Sequence, residues 1–369
     1  MYQALKAERK MDKTLQVTLA YLITNLALIF FVYPEKIIGS TNEGHWLPIL
    51  IGVLFHYLVL ALYLIGLSYF PNQDVTRIFL GSSKLVALII LPPAAIYFIG
   101  STLILLRAYS EIATIVFLGT TPVWAIILLL TLIPLFLAYN GIETILRTTS
   151  LLSIIFLPLI LVMFALSFKD SNVYYAFPLQ GMDWGFLKSA SFYSSTFAYI
   201  IGFIFLGFLP PSVQFQKKRL FFSALLLIPF FILSVYIPLM GFGQETSRKL
   251  MYPYISKLDS IQVDWLVFDR VTVFFLLFLY TFVVILISLI AWSTIQVAHI
   301  YVKRIRQNHL WTYIGFSAAL FFGAMAIPNW DAVDRLLLSK APLRFYVGIS
   351  IPIALILLGR RKKRLDEKM

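Results

Sequence analysis

Apolar blocks of about 18 to 25 residues recur along nearly the whole chain, and this recurrence restricts its possible folds more than any other feature. A helix of that length crosses the hydrocarbon core of a bilayer. In lipid only helices and closed barrels satisfy every backbone N–H and C=O. The blocks are continuously apolar rather than alternating, which selects helices over strands. Spans are expected at about Thr14–Tyr33, Trp46–Leu67, Lys84–Leu106, Pro122–Tyr139 and Thr148–Phe168. Five more are expected at about Phe192–Leu209, Leu220–Phe242, Phe268–Ala291, Leu310–Ile327 and Leu343–Leu358, the eighth run extending as a helix to about Val302. The expected fold class is all-α integral membrane, with about ten transmembrane helices.

Composition agrees. Only 13% of the 369 residues are charged, about half the share in a soluble domain, and the mean hydropathy is +0.87. The chain has no cysteine, which excludes disulfides and thiolate metal sites. Residues 1–13 are polar and charged, so no cleavable signal peptide is expected. The chain divides into a cytoplasmic N-terminal tail (1–13), a ten-helix transmembrane domain (14–358) and a basic cytoplasmic tail (359–369).

The net charge of +13 would suggest nucleic acid in a soluble protein. Placing both termini in the cytoplasm puts 19 of the 30 Lys and Arg residues inside and 11 outside. The groups include Lys217-Lys218-Arg219, Lys303, Arg304, Arg306 and Arg360 to Arg364. This follows the positive-inside rule. Six of the 17 acidic residues fall inside, so the inner face carries the whole excess. Anionic membrane lipid is then the expected partner, and no nucleic acid is required.

Five spans in each half force opposite membrane orientations, the arithmetic of an inverted repeat in secondary transporters. The longest connection, about Gly243 to Val267, holds Tyr252, Pro253, Tyr254 and Trp265. It reads either as a solvated loop or as a lid or docking surface. No HExxH, GxSxG, P-loop or GxGxxG occurs, and His45, His56, His299 and His309 lack metal-ligand spacing. A non-enzyme is expected, with no cofactor and no metal.

Ionisable residues near the bilayer are costly and therefore informative. Arg107 and Glu111, and Glu143 and Arg147, are each four apart on one helix face, a spacing for ion pairs that are either structural or part of a gate. His56 reads as a neutral histidine bonded to a neighbouring helix, with a proton relay as the alternative. Asn25 reads as interhelical glue or a ligand contact. Pro92-Pro93, Pro134, Pro158, Gly202, Pro210-Pro211, Pro229 and Pro238 interrupt spans, either as packing kinks or where freed backbone faces a site.

Several local patterns occur in a telling order. Leu106-Arg107-Ala108-Tyr109-Ser110-Glu111 is followed by Gly119-Thr120-Thr121-Pro122, then by Asn140-Gly141-Ile142-Glu143 through Arg147. Tyr252-Pro253 and Phe268-Asp269-Arg270 come later. Together they resemble the spore germination permease family, the integral-membrane B subunit of germinant receptors in endospore-forming bacteria. The resemblance covers essentially the whole chain. It implies membership of the amino acid–polyamine–organocation superfamily and a five-plus-five inverted-repeat transporter fold with spans one and six broken around a central site. It also implies binding of a small germinant, often an amino acid, and signalling of spore germination. The implied partners are the receptor's A subunit and its lipoprotein C subunit, in the spore inner membrane.

One departure stands out. Relatives have a glycine-rich break in span one shortly before a proline. Aligned on Pro34, those positions fall near Ala27 and Ile29, and Ala27-Leu28-Ile29-Phe30-Phe31 has no glycine. Lacking glycine, the backbone resists close approach, so the carboxylate of a free amino acid is not expected to sit there in the usual way. In span six, Gly202 with Tyr199 nearby is the expected break. The superfamily's site plan adds Tyr97 from span three and Tyr280 from span eight as ligand contacts. An amino acid permease coupled to protons or sodium is the alternative function.

Overall fold

The computed structural model describes residues 11–367 except 72, 117, 178, 180, 182, 262–270 and 302–308. The expectations for Trp265, Phe268-Asp269-Arg270, Val302, Lys303, Arg304 and Arg306 lie outside the described residues, as do residues 1–10 and 368–369 of the tails.

Among the described residues, seven helices are long and apolar enough to cross a bilayer: Trp46–Ser68, Lys84–Val116, Ile142–Leu166, Ala190–Gly207, Lys217–Lys249, Val271–Tyr301 and Ala341–Asp366. Two bent pairs each count as one more crossing: Thr14–Ile29 with Val32–Ile38, at 49°, and Leu310–Met325 with Trp330–Ser339, at 112°. The apolar helix Val123–Tyr139 has 17 residues, the lower limit for a crossing. In chain order these ten segments are spans one to ten, as the periodicity predicts.

Boundaries move for identifiable reasons. Span three runs to Val116 rather than Leu106, carrying Arg107 and Glu111 on the same helix. Spans four and five meet at Asn140-Gly141, where Gly141 has φ 90, a conformation that glycine adopts at little cost. Span five accordingly begins at Ile142, not Thr148. Helical geometry in span seven breaks at Gly243 (φ 75), next to the expected end at Phe242. Span ten continues through the basic tail to Asp366, because Arg, Lys and Leu are good helix formers in water.

The spans differ in burial. Span six is 83% buried over its apolar window and span eight 67%, whereas span five is 22% buried. Spans six and eight therefore form the core and span five presents Leu151, Ile154 and Leu161 to lipid. Span one packs on spans five, six and eight, span three on eight, span nine on four and span ten on two.

Both termini lie on one face. Met11–Asp12 pairs in parallel with Val213–Gln214, and the buried Lys13 places its Nζ 2.7 Å from Glu143 Oε1. Lys362 lies 5.5 Å from the Phe70 ring on the same face. Residues 11–13, expected as part of a tail, are thus stitched to the connection after span six and to the first turn of span five.

Candidate functional site

Span one breaks where proline forbids its continuation. Pro34 has no N–H for the carbonyl of Phe30, and its ring would crowd that carbonyl in a regular helix. The helix stops at Ile29 and resumes at Val32. Phe31 takes φ −100 and ψ −94, so the break needs no left-handed residue and no glycine. The Tyr109 hydroxyl donates to Ala27 O at 2.5 Å. In turn Tyr280 donates its hydroxyl to Tyr109 O.

Aromatic rings fill the break. Phe30, fully buried, has the rings of Tyr254, Phe275, Phe164 and Phe230 at 4.8 to 5.9 Å. Phe31 meets Tyr109 at 4.3 Å, Tyr252 at 5.8 Å and Trp330 at 6.0 Å. Tyr252 and Tyr254 belong to the long connection after span seven, whose helix Pro253–Asp259 buries Tyr254, Ile255 and Leu258. That part of the connection is a lid over the break and not a solvated loop. Lys257 ties it down, donating to Lys169 O at 2.8 Å and Asp170 O at 3.2 Å.

A polar chain lies beside the plug. His56 Nδ1 is 2.6 Å from Tyr199 O and Nε2 is 2.6 Å from the Tyr21 hydroxyl. A carbonyl can only accept, so Nδ1 carries the proton and, in the neutral ring, Tyr21 donates to Nε2. His56 therefore joins spans one, two and six. Tyr199 continues the chain by donating to the Tyr33 hydroxyl at 3.0 Å. Gly202 is not a break: it lies inside the helix Phe197–Ile204. Its carbonyl accepts from Thr24 Oγ1 at 2.9 Å. A Cβ at Gly202 would meet Asn25 Oδ1 at 2.6 Å, so this glycine permits the close approach of spans one and six.

Span six is instead interrupted at Thr196, between Ala190–Ser195 and Phe197–Ile204. Arg344 of span ten, 0% exposed, bonds the carbonyl groups there. Its Nη1 donates to Tyr193 O at 2.9 Å, Ser194 O at 3.3 Å and Thr196 Oγ1 at 2.7 Å, and Nη2 to Leu337 O at 2.5 Å. The Tyr97 hydroxyl lies against this guanidinium and beside Ser101 without an aligned hydrogen bond to either.

On the face opposite the termini, charged groups cover the lid. Arg107 Nη2 lies 3.3 Å from Glu111 Oε2 and donates to Pro328 O, in the bend of span nine, at 2.6 Å. Lys36 bridges Glu35 at 2.7 Å and Asp334 at 2.6 Å. Burial, then the nearby carboxylates of Glu111, Glu35 and Asp334, push the Tyr252 hydroxyl well above its usual range. On the terminal face Arg147 Nη2 is 3.6 Å from Glu143 Oε2. Glu143 is held more closely by Lys13, a partner that four-residue spacing does not reveal. Among the described residues no group of three or more His, Asp or Glu is placed to hold a metal.

The six expected ligand contacts thus occupy three neighbourhoods. Ala27, Ile29 and Tyr280 gather at the span-one break, Tyr199 and Gly202 in the polar chain, and Tyr97 at the span-six interruption. Sequence reasoning missed Tyr109, Ser101 and Arg344. The signal for Arg344 was a single cation within Pro342-Leu343-Arg344-Phe345-Tyr346 at the start of an apolar run.

Comparison with known proteins follows the same lines. The crystal structure of MhsT in complex with L-phenylalanine is similar with a TM-score of 0.59, covering 93% of this chain and 97% of that chain at 16% identity. The likeness is one of fold, and with the ten spans it identifies the five-plus-five inverted-repeat transporter fold of a multi-pass membrane protein. No curated protein sequence matches the chain. The family model described as "Spore germination protein" matches residues 13–329, and the chain accordingly belongs to that family.

Proposed function

We propose that this protein is the integral-membrane subunit of a germinant receptor, binding a small germinant, an amino acid, within the bilayer and signalling spore germination. The carrying observation is the span-one break closed by an aromatic plug and lid. A ligand reaching the break must displace Phe30, Phe31 and Tyr252, so binding favours a second arrangement of lid and span. The signal is that population shift. Ala27 and Ile29 contribute freed backbone, and Tyr280, Tyr199, Gly202 and Tyr97 the surrounding wall. Arg107 and Glu111 gate the lid side; Glu143, with Lys13 and Arg147, latches the terminal face. By its basic charge the terminal face is cytoplasmic, the membrane is the spore inner membrane, and the A subunit and lipoprotein C subunit are the partners.

Binding of amino acids and sugars to the purified receptor complex tests this reading. Saturable binding is expected; no binding, together with normal germination after deletion, would sink it. The Tyr21–His56 pair favours a second reading, a permease coupled to protons, since a histidine bonded to a hydroxyl between two spans can exchange a proton. Uptake of labelled amino acid into proteoliposomes separates the two. Coupled accumulation would select the permease.

A further inference from the structure

Arg344 is a guanidinium without a carboxylate. It is fully buried, and among the described residues no acidic side chain pairs with it. Its Nη1 is used by two carbonyls and a hydroxyl at the span-six interruption and its Nη2 by Leu337 O in the second helix of span nine. Its Nε has no partner. Two further buried groups follow in line, the Tyr97 hydroxyl against the guanidinium and the Ser101 hydroxyl beside Tyr97, each 2% exposed and each without an aligned hydrogen bond. All three can donate to one anion, through a guanidinium N–H, a phenol O–H and an alcohol O–H, although the two hydroxyls can also accept.

A clamp between spans six and nine explains the Nη bonds and nothing more. Carbonyl dipoles compensate only part of a full charge in low dielectric, and an unpaired buried charge is costly. Unused buried donors add to that cost. One anion would remove both. A carboxylate carries lone pairs for several donors and forms charge-assisted bonds to guanidinium.

We propose that Arg344, Tyr97 and Ser101 form an anion site that takes the carboxylate of the ligand. The inference rests on the amino acid reading above and deepens it. The glycine-free span one offers no backbone cradle for a carboxylate, and a side-chain cation at span six takes its place. Arrival of the carboxylate draws on the guanidinium that holds Tyr193, Ser194 and Thr196, which links ligand binding to the geometry of span six.

The test uses the full-length chain in lipid nanodiscs. The twenty L-amino acids are titrated, and the tightest binder is compared with its own carboxamide. In the unaltered protein the free acid is expected to bind at least tenfold tighter than the amide. Y97F and S101A, which leave the Nη bonds of Arg344 in place, are each expected to cut that ratio at least threefold, and in S101A the amide affinity stays constant. A ratio near one in the unaltered protein, or one unmoved by both variants, overturns the site but leaves the amino acid reading standing. Absence of all amino acid binding overturns that reading and the carboxylate assignment together. Potassium chloride is the inorganic arm, against potassium sulfate at equal ionic strength. Chloride-specific stabilisation that Y97F and S101A abolish, and that no amino acid competes with, gives the site to an inorganic anion and overturns the carboxylate assignment.

Discussion

Spans one and six are counterparts in the two halves, and both are interrupted, yet they are completed differently. Span one bends by 49° at Phe30–Phe31, and the gap is packed with rings. A tyrosine hydroxyl takes one freed carbonyl, Ala27 O. At Thr196 span six is barely deflected, with φ −62 and ψ −10, and a cation gathers its carbonyls. An aromatic plug stabilises by contact area and can be displaced with little electrostatic cost. A guanidinium stabilises through directional bonds, and moving it exposes several polar groups at once. On the proposed reading, span one is the element that opens and span six the element that reports.

Substitutions can break this contrast. The largest effect is expected for R344M, which leaves carbonyls at the interruption without their donor. Loss of about 4 kcal/mol is expected, within the range for removing one partner of a buried charged network. It would be measured as a collapse of thermal stability in detergent or nanodiscs, with R344K recovering only part. F30A follows, at about 3 kcal/mol, the usual cost of cavity creation at a buried phenylalanine. It should also speed exchange of backbone amides in the lid helix Pro253–Asp259, whereas R344M should speed exchange around Thr196. Exchange that rises equally at both sites in both variants would show the two interruptions to be one unit.

Y109F is gentler. It frees Ala27 O at a cost of about 1 to 2 kcal/mol, read as a lower melting temperature with no change in acid-over-amide preference. The smallest effect probes the turn after the outer half of span one. Burial lowers the pKa of His45 from 6.5 to about 4, so the folded protein holds the ring neutral while the unfolded chain protonates. Stability is full above about pH 6.5 and falls as pH drops toward 4. Between pH 7 and 6 the loss is below about 1 kcal/mol, and H45N should flatten that part of the curve.

Much of the fold was legible because lipid imposes simple rules. Run length counted the crossings, and the resemblance implied a broken span one although the stretch before Pro34 has no glycine. Gly202 misled because glycine serves two purposes, freeing the backbone and permitting close approach; which one applies depends on Asn25 across the interface. The lid stayed open between alternatives because Tyr252 and Tyr254 acquire meaning only against Phe30, Phe31 and Trp330. Charge counting left Arg344 among the outside cations although the expected span Leu343–Leu358 contains it, since a sum over charges does not see a side chain that turns inward.

The chain by itself determined the number of crossings, the shared face of its termini and the concentration of charge on that face. Each follows from composition over a helix length, so local chemistry suffices. Tertiary structure decided what completes each interruption. The hydroxyl that meets Ala27 O comes from 82 residues away, and the guanidinium that meets Tyr193 O from 151. A freed carbonyl needs a donor at hydrogen-bond distance and is indifferent to sequence separation, so only the packed bundle selects which donor arrives.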